Sequence, residues 1–395
     1  MHALTSFLRL YFHPADGGEG STLQRKRSPD QRRGSAIVLG LFLTVGLISL
    51  MAIVLDFSYI HVARTEMQRT ADAAALGGCW EVFDRQVSGE VATDLEAAAQ
   101  SEANQISNVN LVGRDSLQLL SEDVEVGTYG IDKSWDTSEP QNFNAVRVAL
   151  KRHGESNREL PLFFGALTGR DTQSLEVTAT AAMLSSIRGF YAPSSHEERL
   201  EILPLALDRP SWRAACAKAT EDNYAYSNGQ VVPGSDGIFE TNLYPKGTGA
   251  PGNRGTVDIG GEDNSTNDLS RQVLHGISLQ DLIDLNRPLE FDDSGVLLLN
   301  GDTGISAGIK DELATLIGKT RIIPIYVSVS GNGNNAMFTI VQFEGVRILD
   351  VKLTGKKDDK VVIIQPTKVI ARNCKIDFTG KHTSSHLVAP VMLVN

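Results

Sequence analysis

Two histidines four residues apart, His382 and His386 in HTSSH, have the residue type and separation of a zinc-binding pair. Zinc would need them on one helical face with further nitrogen, sulfur or carboxylate ligands. The Ser and Thr setting is not helical and no such ligand adjoins them, so no metal is expected. EDNSTND, Glu262 to Asp268, alternates oxygen-bearing side chains as a calcium loop does. It lacks the turn glycine and the bidentate carboxylate of an EF-hand and reads as a solvated polar turn within the segment 258–268. GTGAPG, Gly247 to Gly252, fits G-x-G-x-x-G, the pattern of a dinucleotide-binding turn. It follows no strand, holds Pro251 and leads into NRGTVDIGG instead of a helix, so it reads as a loop. GDTGIS has no following Lys-Ser/Thr pair and reads as a turn capping the next helix, not a phosphate loop. There is no Gly-x-Ser-x-Gly elbow, no His-Glu-x-x-His helix and no Cys-His nucleophile setting. Neither catalytic residues nor a cofactor is expected.

The strongest signal belongs to an element that positions the rest. Ser35 to Leu55 is a run of 21 residues without a charge. As a helix it spans about 32 Å, close to the roughly 30 Å hydrocarbon thickness of a bilayer. Arg25, Lys26, Arg27, Arg32 and Arg33 crowd its N-terminal side, whereas Asp56 opens the other side and the first cation there is Arg64. The positive-inside rule puts residues 1–34 in the cytoplasm and the body outside. The formal charge of −11 is split accordingly: residues 1–34 carry six Lys or Arg against three Asp or Glu, and the remainder 31 against 45. An acidic body with 6% aromatics offers nucleic acid neither counter-charge nor stacking surface.

Beyond Asp56 the sequence continues as a helix. Small or apolar residues recur near every fourth position, at Tyr59 or Ile60, Ala63, Met67, Ala71 and Ala74, flanked by Arg64, Glu66, Arg69 and Asp72. Such a stripe suits close packing, either on the chain's own domain or on another subunit.

The order from Arg33 through Gly34, the apolar span, Asp56, Gln68, Asp72, Ala73, Ala74, Ala75, Leu76 and the pair Gly77 and Gly78 resembles the N-terminal segment of TadE/TadG-like proteins of tight-adherence (Flp) pilus assembly. The resemblance implies a bitopic protein of the bacterial inner membrane with a periplasmic or extracellular body, working in assembly or anchoring of a pilus or envelope structure. Its partners would be other pilus or secretion-system membrane proteins, the lipid bilayer and, as an open alternative, a second copy of itself. Pilins cut after a glycine usually carry Glu at the fifth mature position; counted from Ser35 that position is Leu39, which argues for an uncleaved anchor. DFSYI at Asp56 begins like the Asp-x-Ser-x-Ser metal site that some relatives carry, but Ile60 breaks the pattern.

The expected fold class is α+β: a single N-terminal transmembrane helix continuing into an exported helix, a small α+β module, and a larger β-rich C-terminal module with an antiparallel sheet. The expected boundaries are 1–34 for a disordered basic tail, 35–55 for the span and 56–79 for the membrane-exit helix. The two modules are expected at 80–185 and 200–395. TDLEAAAQSEANQIS reads as a helix, EDVEVGTYGID, NAVRVALKR and SLEVTATAAML as strands, and ELPLFFGALTG as a short helix or turn. RIIPIYVSV, AMFTIVQFEG, VRILDVKLTG, DKVVIIQPTKVIAR and HLVAPVMLVN read as further strands. Of the three cysteines, Cys216 and Cys374 fall in one module, so they are the expected disulfide if the compartment is oxidising. The reading that unites these features is a non-enzymatic membrane-anchored scaffold. The alternative is a tethered periplasmic enzyme or ligand-binding module carried by residues 200–395.

Overall fold

The computed structural model describes residues 30–394, apart from 89–91, 155, 245–254, 261–264, 303, 332–334 and 357–358. Arg25, Lys26 and Arg27, most of the tail 1–34 and the loop GTGAPG lie outside the described residues.

One helix, α1, runs unbroken from Asp30 to Ser88. It begins five residues before the apolar run and carries Arg32, Arg33 and Gly34 in its first turns. Through the span its side chains are exposed all round as far as Met51, with Ile37 at 73% and Phe42 at 71%, and Ala52 is the first to be buried. The hydroxyls of Thr44, Ser49 and Ser58 donate back to the carbonyls of Gly40, Val45 and Val54 at 2.7–2.9 Å. Every side-chain hydroxyl of that stretch apart from Ser35 is thereby satisfied within the helix, as a lipid environment demands. Among the described residues α1 is the one helix long and apolar enough to cross a membrane.

The expected end of this helix near residue 79 needs correction. The helix passes through Gly77 and Gly78 and continues for another ten residues. A Cβ on Gly78 would stand 3.2 Å from both the carbonyl oxygen of Ala99 and Cγ1 of Val146. Gly78 is there for close approach to a second helix and a sheet, which outweighs its poor helix propensity.

The second helix, α2 (Ala92–Val109), lies against α1. Both cover an antiparallel sheet in the order Met392–Val394, Leu175–Ala182, Ala145–Arg152, Val124–Tyr129, Trp135–Asp136. Alternation sets the face: Val146, Val148 and Leu150, with Val177, Ala179 and Ala181, are buried in one cluster with the helix stripe. The edge strand Met392–Val394 comes from the C-terminus and pairs with Thr180–Ala182. The two modules expected from the sequence therefore interlock, because the small sheet would otherwise leave the edge of Leu175–Ala182 unpaired there.

The larger sheet runs Thr241–Asn242, Val361–Pro366, Ala336–Lys352, Leu297–Asp302, Gly255–Val257, Leu205–Asp208, Thr320–Ser330. The last strand also pairs with Ala336–Lys352, so five strands close into a circuit. All its pairings are antiparallel except Leu207↔Ile325 and Asp208↔Tyr326. Register shifts at Ile325/Tyr326 and Ile348/Asp350 bend the two long strands enough for closure. Two apolar clusters cover the sheet's two faces: Ala206 belongs to one with Phe338 and Phe343, whereas its neighbours Leu205 and Leu207 belong to the other, with Ile325, Ile348 and the helix residues Trp212, Val273 and Leu313. Helix α4 (Arg209–Cys216) follows the strand Leu205–Asp208, its N-terminus capped by the Asp208 carboxylate, which accepts from the Ser211 N–H.

The expected Cys216–Cys374 bridge is not formed: all three cysteines are free thiols. Cys216 is exposed at the end of α4, whereas Cys374 lies in Cys374–Ile376, a strand of a separate three-stranded sheet with Ile187–Phe190. Membership of one sequence module did not bring the two side chains together.

Candidate functional site

The residues singled out in the exit segment converge on one feature, the seam where α1 leaves the span and docks on the small sheet. Ala63, Met67, Ala71, Ala74, Ala75 and Cys79 are each 0–3% exposed. The alanines among them let α1 lie close to Ala145–Arg152 and Leu175–Ala182. The stripe thus packs on the chain's own domain, which decides between the two partners left open by the sequence.

Polar contacts pin this seam at intervals. Asp56, 5% exposed, accepts from the backbone N–H of Phe163 at 2.9 Å and of Phe164 at 3.0 Å. Glu66 accepts from the N–H of Gly113 at 2.6 Å. The Gln68 amide donates to Asp72 one turn on, at 2.8 Å, and to the carbonyl of Thr178 at 3.0 Å. Asp72 therefore orients Gln68 toward the sheet backbone. The Cys79 thiol donates to the carbonyl of Asn144, and burial pushes it up to about 12. Gln86 donates to the carbonyl of Phe143 at 2.8 Å and accepts from Lys368 at 2.6 Å. From Asp56 to Gln86 the pins extend over about 45 Å of helix at 1.5 Å per residue. Such an arrangement fixes the direction in which the apolar half of α1 leaves the sheet. Ala73 and Leu76, by contrast, are only half-buried at the rim of the seam.

The alternative site in residues 200–395 takes another form. Glu344, fully buried, accepts from Ser384 Oγ at 2.7 Å, His386 N at 2.9 Å and Ser385 N at 3.1 Å. Burial nevertheless raises its pKa. His382 and His386 do not face one ligand: His382 Nδ1 lies 2.7 Å from Asp377 and its ring stacks on Phe291, while His386 meets Trp212 edge-on. Asp377 is held below the usual carboxylate range by donors from Thr379 and His382, which outweigh its burial. Each carboxylate organises a turn, and the serine hydroxyls act as donors to Glu344. Among the described residues no group of three or more His, Cys, Asp or Glu is placed to hold a metal.

His386 carries a pH prediction. Burial, helped by the charge of Lys368, pushes it down to about 4, against an ordinary value near 6.5. Between those values the unfolded chain binds a proton that the folded protein refuses, so stability falls as pH drops through that window. Glu344, with its raised pKa, acts in the opposite sense. Melting temperatures measured from pH 7 to pH 4 should therefore decline less in His386→Phe than in the parent. An identical decline would remove His386 as a cause.

Against this geometry stand the comparisons with known proteins. The family model described as Flp pilus-assembly TadE/G-like matches residues 34–100, and that described as Tad-like Flp pilus-assembly matches residues 73–181. The two matches overlap at residues 73–100 and together span residues 34–181, which are thus similar to Flp pilus-assembly proteins. No curated protein and no solved structure matches the chain. The matched stretch contains the span, the pins from Asp56 to Gln86 apart from Lys368, and the three main strands of the small sheet up to Ala181. The five-strand circuit lies beyond it. Sequence reasoning found Asp56, Gln68 and Asp72 by their order and placed Glu66 only as a flank of the stripe, but missed Gln86; the partners of Glu66 and Gln86 lie 47 and 57 residues away.

Proposed function

We propose that this chain is a non-enzymatic anchor and scaffold of a Tad or Flp-type pilus system in the bacterial inner membrane. The observation that carries the reading is the coincidence of the TadE/G-like region with a continuous helix that is half bare apolar surface and half pinned to a sheet. An enzyme tether needs no such rigid junction, whereas a scaffold must hold its body at a set height and angle. The span meets lipid and the spans of other pilus or secretion-system proteins, and the acidic body presents protein-binding surface to those partners or to a second copy. Residues 1–34 stay in the cytoplasm and the body lies on the periplasmic or extracellular side, by the charge bias of Arg25, Lys26, Arg27, Arg32 and Arg33.

A reporter that is active only outside the cytoplasm tests the orientation. Fused after Asn395 it should be active, and fused at residue 20 it should be silent. The reverse pattern would overturn the proposed topology, and activity at neither position would leave the chain no route across the membrane.

A further inference from the structure

The loop that Asp56 holds presents its apolar side chains to the outside. Phe163 is 71% exposed, Leu167 59% and Phe164 40%. Contiguous exposed apolar side chains of this size mark an interaction surface. Their position fixes what they meet. Asp56 is the first charge after the span, so its carboxylate stands at the level where hydrocarbon gives way to headgroups. The two N–H groups it accepts from belong to Phe163 and Phe164 themselves. The Phe163 ring lies 4.9 Å from that of Tyr59, less than one turn further along α1. One turn back toward the membrane, Ala52 is 2% exposed although Met51, Ile53 and Val54 around it are bare. The short helix α3 (Gly165–Thr168) is in contact with α1.

The loop is also built to tolerate low polarity. Irregular backbone cannot approach hydrocarbon with unpaired N–H groups. Here Asp56 takes those of Phe163 and Phe164, the carbonyl of Asp171 takes that of Leu162, and the carbonyl of Gly165 takes that of Arg170. Gly169 supplies the positive φ of 74° that turns the chain back. Arg170 is exposed beside it, placed for lipid phosphate.

We infer that residues 162–169 are a second membrane contact, in which Phe163, Phe164 and Leu167 insert into the leaflet on the body's side beside the span, locking the body's tilt against the bilayer surface. Aromatic side chains favour that interfacial depth. The inference rests on the span crossing the bilayer, and the test separates the two.

Full-length Phe163→Trp, Leu167→Trp and Leu47→Trp variants would be reconstituted in phosphatidylcholine vesicles with and without brominated acyl chains, which quench tryptophan on contact. Emission would be compared with the parent, whose Trp80, Trp135 and Trp212 supply the background. The expected result is loss of the added emission in F163W and L167W as well as in L47W. Quenching of L47W alone, with both loop variants no more quenched than the parent, would overturn the loop contact and leave the span standing. Quenching of none would overturn the span and the loop together. Unchanged melting temperatures of the loop variants would establish that they are folded.

Discussion

Replacing Ala74 with leucine is expected to destabilise the body by about 1–3 kcal/mol and to loosen α1 from the sheet. Ala74 is 0% exposed, in one cluster with Val146, Val148, Ala179 and Ala181. A helix and a sheet that meet through alanine methyls leave no space for three further carbons, and strands paired on both sides cannot retreat. The helix must rise instead, and the Gln68 contact to Thr178, 3.0 Å in the parent, would stretch with it. Ala73→Leu is the control, because Ala73 is only half-buried at the rim and leucine has good helix propensity. In thermal unfolding of the full-length protein A74L should melt several degrees lower than the parent, at about 2–4 °C per kcal/mol for domains of this size. A73L should stay within about 0.5 kcal/mol, as surface substitutions do. Equal melting of the two would mean that the stripe is not a packed seam, and the coupling of span to body would lose its basis.

What was legible in the sequence followed from local chemistry. An uncharged run of 21 residues reads as a span because composition alone sets its transfer free energy. The Ala and Met recurrence showed which face of α1 is buried, since 3.6-residue periodicity is a property of the helix itself. The partner of that face was not legible, because Ala145–Arg152 and Leu175–Ala182 are brought there by tertiary packing. Asp56 could be picked out as a boundary charge, but its function depends on N–H groups 107 and 108 residues away. The reach of α1 to Ser88 was not legible for a related reason: glycine has poor helix propensity, and only the closeness of Ala99 and Val146 explains why Gly78 stands inside the helix. Strand-like segments near the C-terminus were visible by alternation. Their closure into a circuit, and the return of Met392–Val394 to the first sheet, depend on edge pairing that alternation does not encode.

That return makes Glu344 the second position with a large expected effect. Its carboxylate lies in the long strand Ala336–Lys352 and gathers Ser384, Ser385 and His386, the residues immediately before Leu387–Val388 and the edge strand Met392–Val394. Glu344→Ala removes the acceptor of the buried Ser384 hydroxyl and of the Ser385 N–H, and leaves the His386 N–H only its 3.2 Å contact to Ser384 Oγ. Each buried donor left without a partner costs roughly 1–3 kcal/mol, and the vacated side-chain volume adds to the loss. Glu344→Gln keeps the shape and one carbonyl oxygen but turns an NH2 toward donors, so its loss should be intermediate. Glu125→Ala serves as the contrast, since Glu125 pairs with Arg147 at an exposed position where an ion pair contributes little. Unfolding by denaturant should rank E125A near the parent, E344Q below it and E344A lowest, by several kcal/mol. Hydrogen exchange should then show faster exchange at the amides of Met392–Val394, through which the C-terminus closes the small sheet. If E344A unfolds like the parent, or loses stability while those amides keep their protection, Glu344 is not the tie between the five-strand circuit and the sheet that α1 carries.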